Sequence, residues 1–144
     1  MNILDCMSYG VIKKYKKNEI IFREGDKADC MFELRWGTVG LYVDYGTENE
    51  RLLAKLEGEG FAGAFSIIDK SDYKVTAVSL QRGTRLESIS AEDFYNFFQS
   101  KPSKLLSITQ CLCQLHRNVL YSYAKACKKI TELESIAESK EAEA

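Results

Sequence analysis

Short runs of apolar residues, separated by turns that contain glycine, fill the first ninety or so positions of the chain. The clearest example is residues 18–43, where three apolar runs follow one another. In the last run Val39, Leu41 and Val43 occupy every second position, the period that puts alternate side chains on opposite faces of a strand. Strands this short, punctuated by glycine, predict a folded β-roll of about eight strands.

The same pattern continues on both sides of this stretch. Residues 11–16 read as a strand rich in lysine, which is typical of an edge strand facing solvent. Residues 51–56, 73–80 and 83–90 predict further strands. Residues 1–9 carry the apolar spacing of a short amphipathic helix before the roll begins.

A short helix is predicted after the last strand. Ser90, followed by acidic residues, is a candidate N-cap. The apolar side of the helix would hold Phe94, Phe97 and Phe98. Pro102 separates this helix from the next segment, because proline is disfavoured inside a helix.

Residues 103–138 contain no glycine or proline and predict one long helix. At 1.5 Å per residue its length would be about 50 Å, more than the roll can cover. Its apolar positions recur at steps of three and four, a heptad-like seam suited to a second helix. The seam consists of Leu105, Ile108, Leu112, Leu115, Val119, Tyr123, Ala126, Ile130, Leu133 and Ala137. We therefore expect a homodimer through this helix. The alternative is that the C-terminal third of the helix is solvated. Residues 138–144 are expected to form a disordered acidic end.

Composition narrows the classes of function. With 144 residues, 45% of them hydrophobic, the chain predicts one structural domain: a roll with short flanking helices at residues 1–100, then the long helix and acidic tail at 101–144. A net charge of −1 provides no general attraction to nucleic acid or an anionic membrane. No signal peptide or membrane span is recognisable, and five cysteines at irregular spacing suit reduced thiols. We expect a cytoplasmic protein with no membrane partner.

Catalytic chemistry is not indicated. His116 is the single histidine and falls in the long helix, whereas a metalloenzyme built on a β-roll needs two or three histidines on facing strands. No nucleophile with a base, no phosphate loop and no dinucleotide motif is present. The sequence therefore predicts no metal site and no enzymatic activity.

The candidate binding segment is residues 57–66, where glycines and alanines surround two phenylalanines. Small residues let a backbone come close to a ligand and turn its N–H groups toward it; the alternative is a tight corner of the roll in which the phenylalanines fill the core. The predicted pocket consists of Phe61, Ala62, Gly63, Ala64, Phe65, Ser66, Tyr73, Lys74, Val75 and Thr76. The predicted lid on the long helix consists of His116, Val119, Leu120 and Tyr123.

Several motifs in this order resemble the cyclic-nucleotide-binding domain of the Crp/Fnr superfamily. They are NEIIFREGD at 18–26, MFELRWGTVGLYV at 31–43, LEGEGFAGAFSII at 56–68, YKVTAV at 73–78 and AEDFYNFFQSKP at 91–102. The resemblance implies a mainly β fold with α: a cupin-like double-stranded β-roll, a short helix and a long C-terminal dimerisation helix. It also implies a cyclic nucleotide or another small anion as the ligand. No cofactor is assigned.

The ligand motif departs from that family. Its phosphate-binding cassette carries a glycine-glutamate pair, whose glutamate takes the ribose hydroxyl, and an arginine about ten residues later that pairs with the cyclic phosphate. Counted from Gly58, the pair falls on Ala62 and Gly63 and the arginine on Tyr73, with Lys74 next to it. Both charged contacts are missing, so the usual binding of cyclic AMP or cyclic GMP is not expected.

Three functions are compatible with the sequence. The leading interpretation is a non-enzymatic, dimeric ligand-sensing or regulatory module. The alternatives are a ligand-free dimerisation or interaction module, and a truncated Crp/Fnr-type transcriptional regulator. Because no helix-turn-helix can be placed before residue 144, we expect no DNA binding by this chain alone.

Overall fold

A computed structural model describes residues 10–143, so the helix predicted at residues 1–9 lies outside the described part. The elements in chain order are β1 (Ile12–Tyr15), β2 (Ile20–Phe22), β3 (Cys30–Trp36), β4 (Thr38–Val43), β5 (Arg51–Glu57), β6 (Phe61–Ala62), α1 (Ala64–Asp69), β7 (Thr76–Ser79), β8 (Thr84–Ser90), α2 (Phe94–Ser100) and α3 (Ser103–Ala142).

The strands form two four-stranded antiparallel sheets. One has the order β1-β8-β3-β6 and the other β2-β7-β4-β5. Side chains from both sheets meet in one core, among them Leu34, Leu41 and Leu86. The predicted β-roll, mainly β with a long C-terminal helix, is confirmed. The predicted edge position of the lysine-rich first strand is confirmed as well, since β1 ends the first sheet.

Strand β3 is covered on both faces. Leu34 points into the core between the sheets, whereas Met31, three residues earlier, lies in a second core with Phe97 and Ile108 from the helices. Because neighbouring side chains on a strand point to opposite faces, the helices pack on the outer face of this sheet. That packing holds α2 and the early part of α3 against β3.

A single glycine makes the turn between β3 and β4. Gly37 has φ +101°, and a Cβ at this position would lie 2.8 Å from the Cα of Thr84. Glycine is required both by the left-handed conformation and by the close approach of β8.

Two predicted boundaries are wrong. Helix α2 begins at Phe94, because Ser90 is the last residue of β8; its hydroxyl instead accepts a 3.2 Å hydrogen bond from the Asp93 N–H in the intervening turn. The strand expected from residue 73 begins at Thr76, since the backbone of Tyr73 bonds the Gly25 and Asp26 backbone instead of a sheet neighbour.

Helix α3 is longer than predicted. It spans 40 residues, about 60 Å. The predicted disorder of residues 138–144 is wrong as far as Ala142, where glutamate, alanine and lysine continue the helix. The six-residue helix α1 was not predicted, because the glycines around it suggested a loop.

Candidate functional site

A cavity of about 230 Å³ lies between the roll and α3. Strands β4 and β5 form one wall, the segment around β6 and α1 a second, and α3 a third. The lining residues are Leu41, Ala54, Lys55, Leu56, Glu57, Glu59, Phe61, Phe65, Ser107, Gln110, Cys111, Gln114 and Leu115.

The roll side of the cavity is apolar. Leu41 and Ala54 are direct cross-strand partners on β4 and β5, and both are buried. Phe61 is buried beside them, and Phe65 and Leu56 are half-buried. These side chains contribute no hydrogen-bonding group, so their surface favours an apolar occupant.

The helix side is more polar. Ser107, Gln110, Cys111, Gln114 and Leu115 are spaced at i, i+3, i+4, i+7 and i+8, so they occupy one face of α3. Half-buried Leu115 packs against the core between the sheets. Hydroxyl and amide groups on this face can both donate and accept hydrogen bonds.

Charged groups lie at one rim of the cavity. Glu59 accepts hydrogen bonds from the Ser107 hydroxyl at 3.1 Å and the Lys104 ammonium at 3.3 Å. The Ser107 bond, and then the charge and bond of Lys104, hold the pKa of the Glu59 carboxyl below its ordinary value. The loop after β5 is thereby tied to the start of α3.

Lys104 also joins a buried charged cluster. Its ammonium lies 2.9 Å from the Glu33 carboxylate, which Arg35 approaches at 3.5 Å while also pairing with Glu87. Partial burial lowers the pKa of Lys104, but the bonds and charges of Glu33 and Glu59 raise it above its ordinary value overall. These ion pairs fix the first turn of α3 to β3 and the rim.

A family model described as the cyclic nucleotide-binding domain matches residues 12–101, more than half of the 144-residue chain. The chain belongs to this family. The match confirms the resemblance to a cyclic nucleotide-binding domain that was drawn from the sequence motifs. No curated protein matches the chain.

Solved structures share the fold of this cyclic nucleotide-binding domain. The c-di-GMP-responsive global regulator CLP of Xanthomonas campestris has a TM-score of 0.65 at 21% identity, with 83% of this chain and 59% of that chain covered. The catabolite activator protein of Thermus thermophilus has a TM-score of 0.57 at 22% identity, with 90% and 55% covered. The heme domain of CooA from Carboxydothermus hydrogenoformans has a TM-score of 0.66 at 20% identity, with 88% and 84% covered. The chain spans less than two thirds of the first two proteins.

The structure places two of the ten predicted pocket residues, Phe61 and Phe65, at the cavity. Tyr73 is instead buried in the core between the sheets, where its ring stacks on Phe22 with a 4.0 Å centroid separation and its hydroxyl donates to the Cys30 carbonyl. It cannot face a ligand in the cavity.

The other predicted pocket residues have structural partners or lie outside the cavity lining. The Ser66 hydroxyl donates to the Asp72 carbonyl at 3.1 Å, and the Thr76 hydroxyl accepts from the Glu24 N–H at 3.0 Å. Residues that do not line the cavity are Ala62 in the inter-sheet core, Gly63 at the N-terminus of α1, Ala64 in the second core, exposed Lys74 and half-buried Val75.

The residues predicted as a helix lid lie farther along α3 than the cavity does. His116, Val119, Leu120 and Tyr123 are exposed, and none of them lines the cavity. The helix crosses the roll earlier, and its last hydrogen bond to the roll runs from the Asn118 amide to the Leu53 carbonyl at 3.3 Å. Ser107, Gln110 and Gln114 line the cavity. The sequence did not predict them because the helix face was identified from its apolar positions alone.

The predicted dimer seam divides into two parts. Ile108, 5% exposed, and half-buried Leu115 pack within the chain and are not available to a partner. The other eight members of the predicted seam are exposed: Leu105, Leu112, Val119, Tyr123, Ala126, Ile130, Leu133 and Ala137. Among residues 10–143, no helix is both long and apolar enough to cross a bilayer.

Proposed function

We propose that this chain is a non-enzymatic regulatory module that senses a small molecule in the cavity between its roll and α3. The observation that carries the proposal is that β4 and β5 form one wall of the cavity and α3 another. A molecule bound between them would contact both, so its binding free energy would depend on where α3 lies. Such a dependence lets binding change the position of the helix.

The cassette supports a ligand other than the usual cyclic nucleotide. Gly63 has φ +80° and is the N-cap of α1, which suits the glycine of the family pair, one residue later than the count from Gly58 suggested. Ala64 then takes the glutamate position and Lys74, ten residues further, the arginine position. A methyl group cannot accept a bond from a ribose hydroxyl, and an exposed lysine offers a point charge where arginine offers two parallel bonds.

The similar structures are described with different ligands on one fold. One is described as responsive to c-di-GMP and another as a heme domain. Since one fold can carry different binding sites, the ligand of this chain has to be inferred from its own cavity.

Homodimerisation through α3 completes the proposal. Residues 119–143 are exposed throughout. Exposed apolar side chains continue along this part at Val119, Tyr123, Ile130 and Leu133, at steps of four, seven and three that keep them on one face. Pairing with a second copy would bury this face, and a shift of α3 at the cavity would then alter the pairing.

The open cavity favours this proposal over a ligand-free interaction module. The ligand-free interpretation requires Phe61, Phe65 and Tyr73 to fill the space. Two of these rings line the cavity without closing it, and the third lies in the core between the sheets.

The test is the melting temperature of the purified chain with cyclic AMP, cyclic GMP, cyclic di-GMP and a set of small neutral, anionic and cationic organic molecules. We expect a shift from a compound outside the cyclic nucleotides; at a hundred times the dissociation constant it corresponds to about 2.7 kcal/mol. A shift with cyclic AMP that Lys74→Ala abolishes would contradict the cassette argument. No shift with any compound would favour the ligand-free module.

A further inference from the structure

We propose that the occupant of the cavity is an uncharged, mainly apolar small molecule whose polar group bonds to α3. This inference rests on the proposed sensing function and specifies its ligand class. It departs from the cyclic nucleotide or other anion that the family resemblance implies.

None of the buried or half-buried residues that line the cavity carries a charge. Its deep walls are Leu41, Ala54, Phe61, Phe65 and Leu115, all buried or half-buried and all apolar. An ionised group that enters such a site loses its hydration and gains no partner, a large unfavourable contribution. A neutral apolar group gains free energy there for the same reason that a core residue does.

The charged side chains at the rim do not favour an anion. Lys55, Glu57 and Glu59 are exposed, and together they carry one more negative than positive charge. Lys104, the cation that approaches this rim, is already paired with Glu33 at 2.9 Å and with Glu59 at 3.3 Å. An anionic ligand would have to compete with two carboxylates for it.

The polar face of the cavity suits an uncharged hydrogen-bonding group. Ser107, Gln110 and Gln114 lie on one side of α3. The Ser107 hydroxyl donates to Glu59 and can still accept a bond, and the primary amides of the glutamines offer both donors and acceptors. The volume of about 230 Å³ is below the roughly 300–1,000 Å³ typical of drug-sized ligands. We therefore expect an occupant smaller than a typical drug-sized ligand, with its polar end facing the helix.

Three probes of nearly the same shape separate the effect of charge from that of size: benzamide is neutral, benzoate anionic and benzamidine cationic at neutral pH. We expect benzamide to raise the melting temperature of the full chain and to bind at least about tenfold more tightly than the two ions, because only they lose ionic hydration. Equal or tighter binding of benzoate or benzamidine would overturn the neutral ligand class.

Two cysteine variants locate the binding. Cys111 lines the cavity and is half-buried, whereas Cys113, two residues along α3, is exposed and does not line it. Cys111→Leu adds volume inside the cavity and should abolish the benzamide shift, while Cys113→Leu should keep it. A benzamide shift that survives in Cys111→Leu would overturn the site.

The outcomes also separate this inference from the proposed function. A shift with a charged probe alone, lost in Cys111→Leu, would leave the sensing function standing and overturn the ligand class. No shift with benzamide up to its solubility limit would overturn the inference, and no shift with any of the wider set of compounds would remove the sensing function as well.

Discussion

Gly63 is the residue on which the local structure of the cassette depends most strongly. Its φ of +80° is unfavourable for residues with a side chain, and a Cβ there would lie 2.8 Å from the Tyr73 ring. The ring cannot easily move, because it stacks on Phe22 and its hydroxyl is bonded to the Cys30 carbonyl. Backbone conformation and packing therefore both require glycine.

We expect Gly63→Ala to lower the free energy of unfolding by about 2 kcal/mol or more, the sum of about 1–2 for the left-handed backbone and at least about 1 for the collision. The control is Gly58→Ala, where φ is +71° but nothing lies within 4 Å of an added Cβ. That variant should lose only the backbone contribution. Urea denaturation measures both values, and equal losses would show that the Tyr73 contact is unimportant.

The Glu59 carboxyl makes the stability of the folded chain depend on pH. Its pKa is lowered by the Ser107 hydroxyl first and by Lys104 second. A depressed folded-state pKa means that this stabilisation is present above the unfolded pKa and is lost as pH falls through the folded pKa. We expect Ser107→Ala to move the Glu59 pKa back toward its ordinary value in an NMR carboxyl titration.

The control for this titration is Thr109→Val. The Thr109 hydroxyl bonds the Leu105 carbonyl at 2.7 Å and makes no bond to Glu59, so its removal should leave the Glu59 pKa unchanged. If both variants shift the Glu59 pKa equally, the Ser107 bond is not the cause.

At the scale of elements, much of the roll could be predicted because its signals are local. Alternation at Val39 and Leu41 and the turn at Gly37 depend on residues close in sequence, and β3 and β4 lie where these signals put them. The helix wall of the cavity could not be predicted in this way. Periodicity shows that α3 has an apolar stripe but not where along its length the helix crosses the roll. His116 and Tyr123, predicted as part of the lid, therefore lie too far along the helix to reach the cavity.

Charge placed on the exposed apolar stripe of α3, which consists of Val119, Tyr123, Ile130 and Leu133, tests whether this stripe is a dimer interface. Val119→Glu combined with Ile130→Glu puts two charges into it, and burying unpaired carboxylates against a second apolar helix is strongly unfavourable. By multi-angle light scattering at one concentration, we expect the wild type to be a dimer, as proposed, and this double variant to be a monomer.

The matched control is Ala124→Glu combined with Ser135→Glu. It adds the same charge with the same eleven-residue spacing, but at 100° per residue these positions lie on the opposite side of the helix. This variant should remain dimeric. If both double variants are monomeric, added charge and not the stripe is responsible; if both are dimeric, the interface lies elsewhere.

At the scale of the whole molecule, one rigid element touches both proposed sites. The first turns of α3 carry the cavity wall and the ion pairs of Lys104 with Glu33 and Glu59, and residues 119–143 carry the exposed stripe. Because α3 is one continuous helix, a movement of one end can move the other end. Cavity occupancy and helix pairing should therefore be coupled, with a free energy that can be measured.

If the wild type is the proposed dimer and Val119→Glu/Ile130→Glu is a monomer, we expect benzamide to bind the two with affinities that differ roughly 5- to 150-fold, the usual range for coupled sites. Isothermal titration calorimetry measures the two constants, and the Ala124→Glu/Ser135→Glu dimer should match the wild type. Coupling is reciprocal, so if the dimer binds benzamide more tightly, benzamide must lower the dimer dissociation constant measured by ultracentrifugation. Equal affinities in all three proteins would mean that the cavity and the interface act independently, and α3 would then be a structural element without a role in signalling.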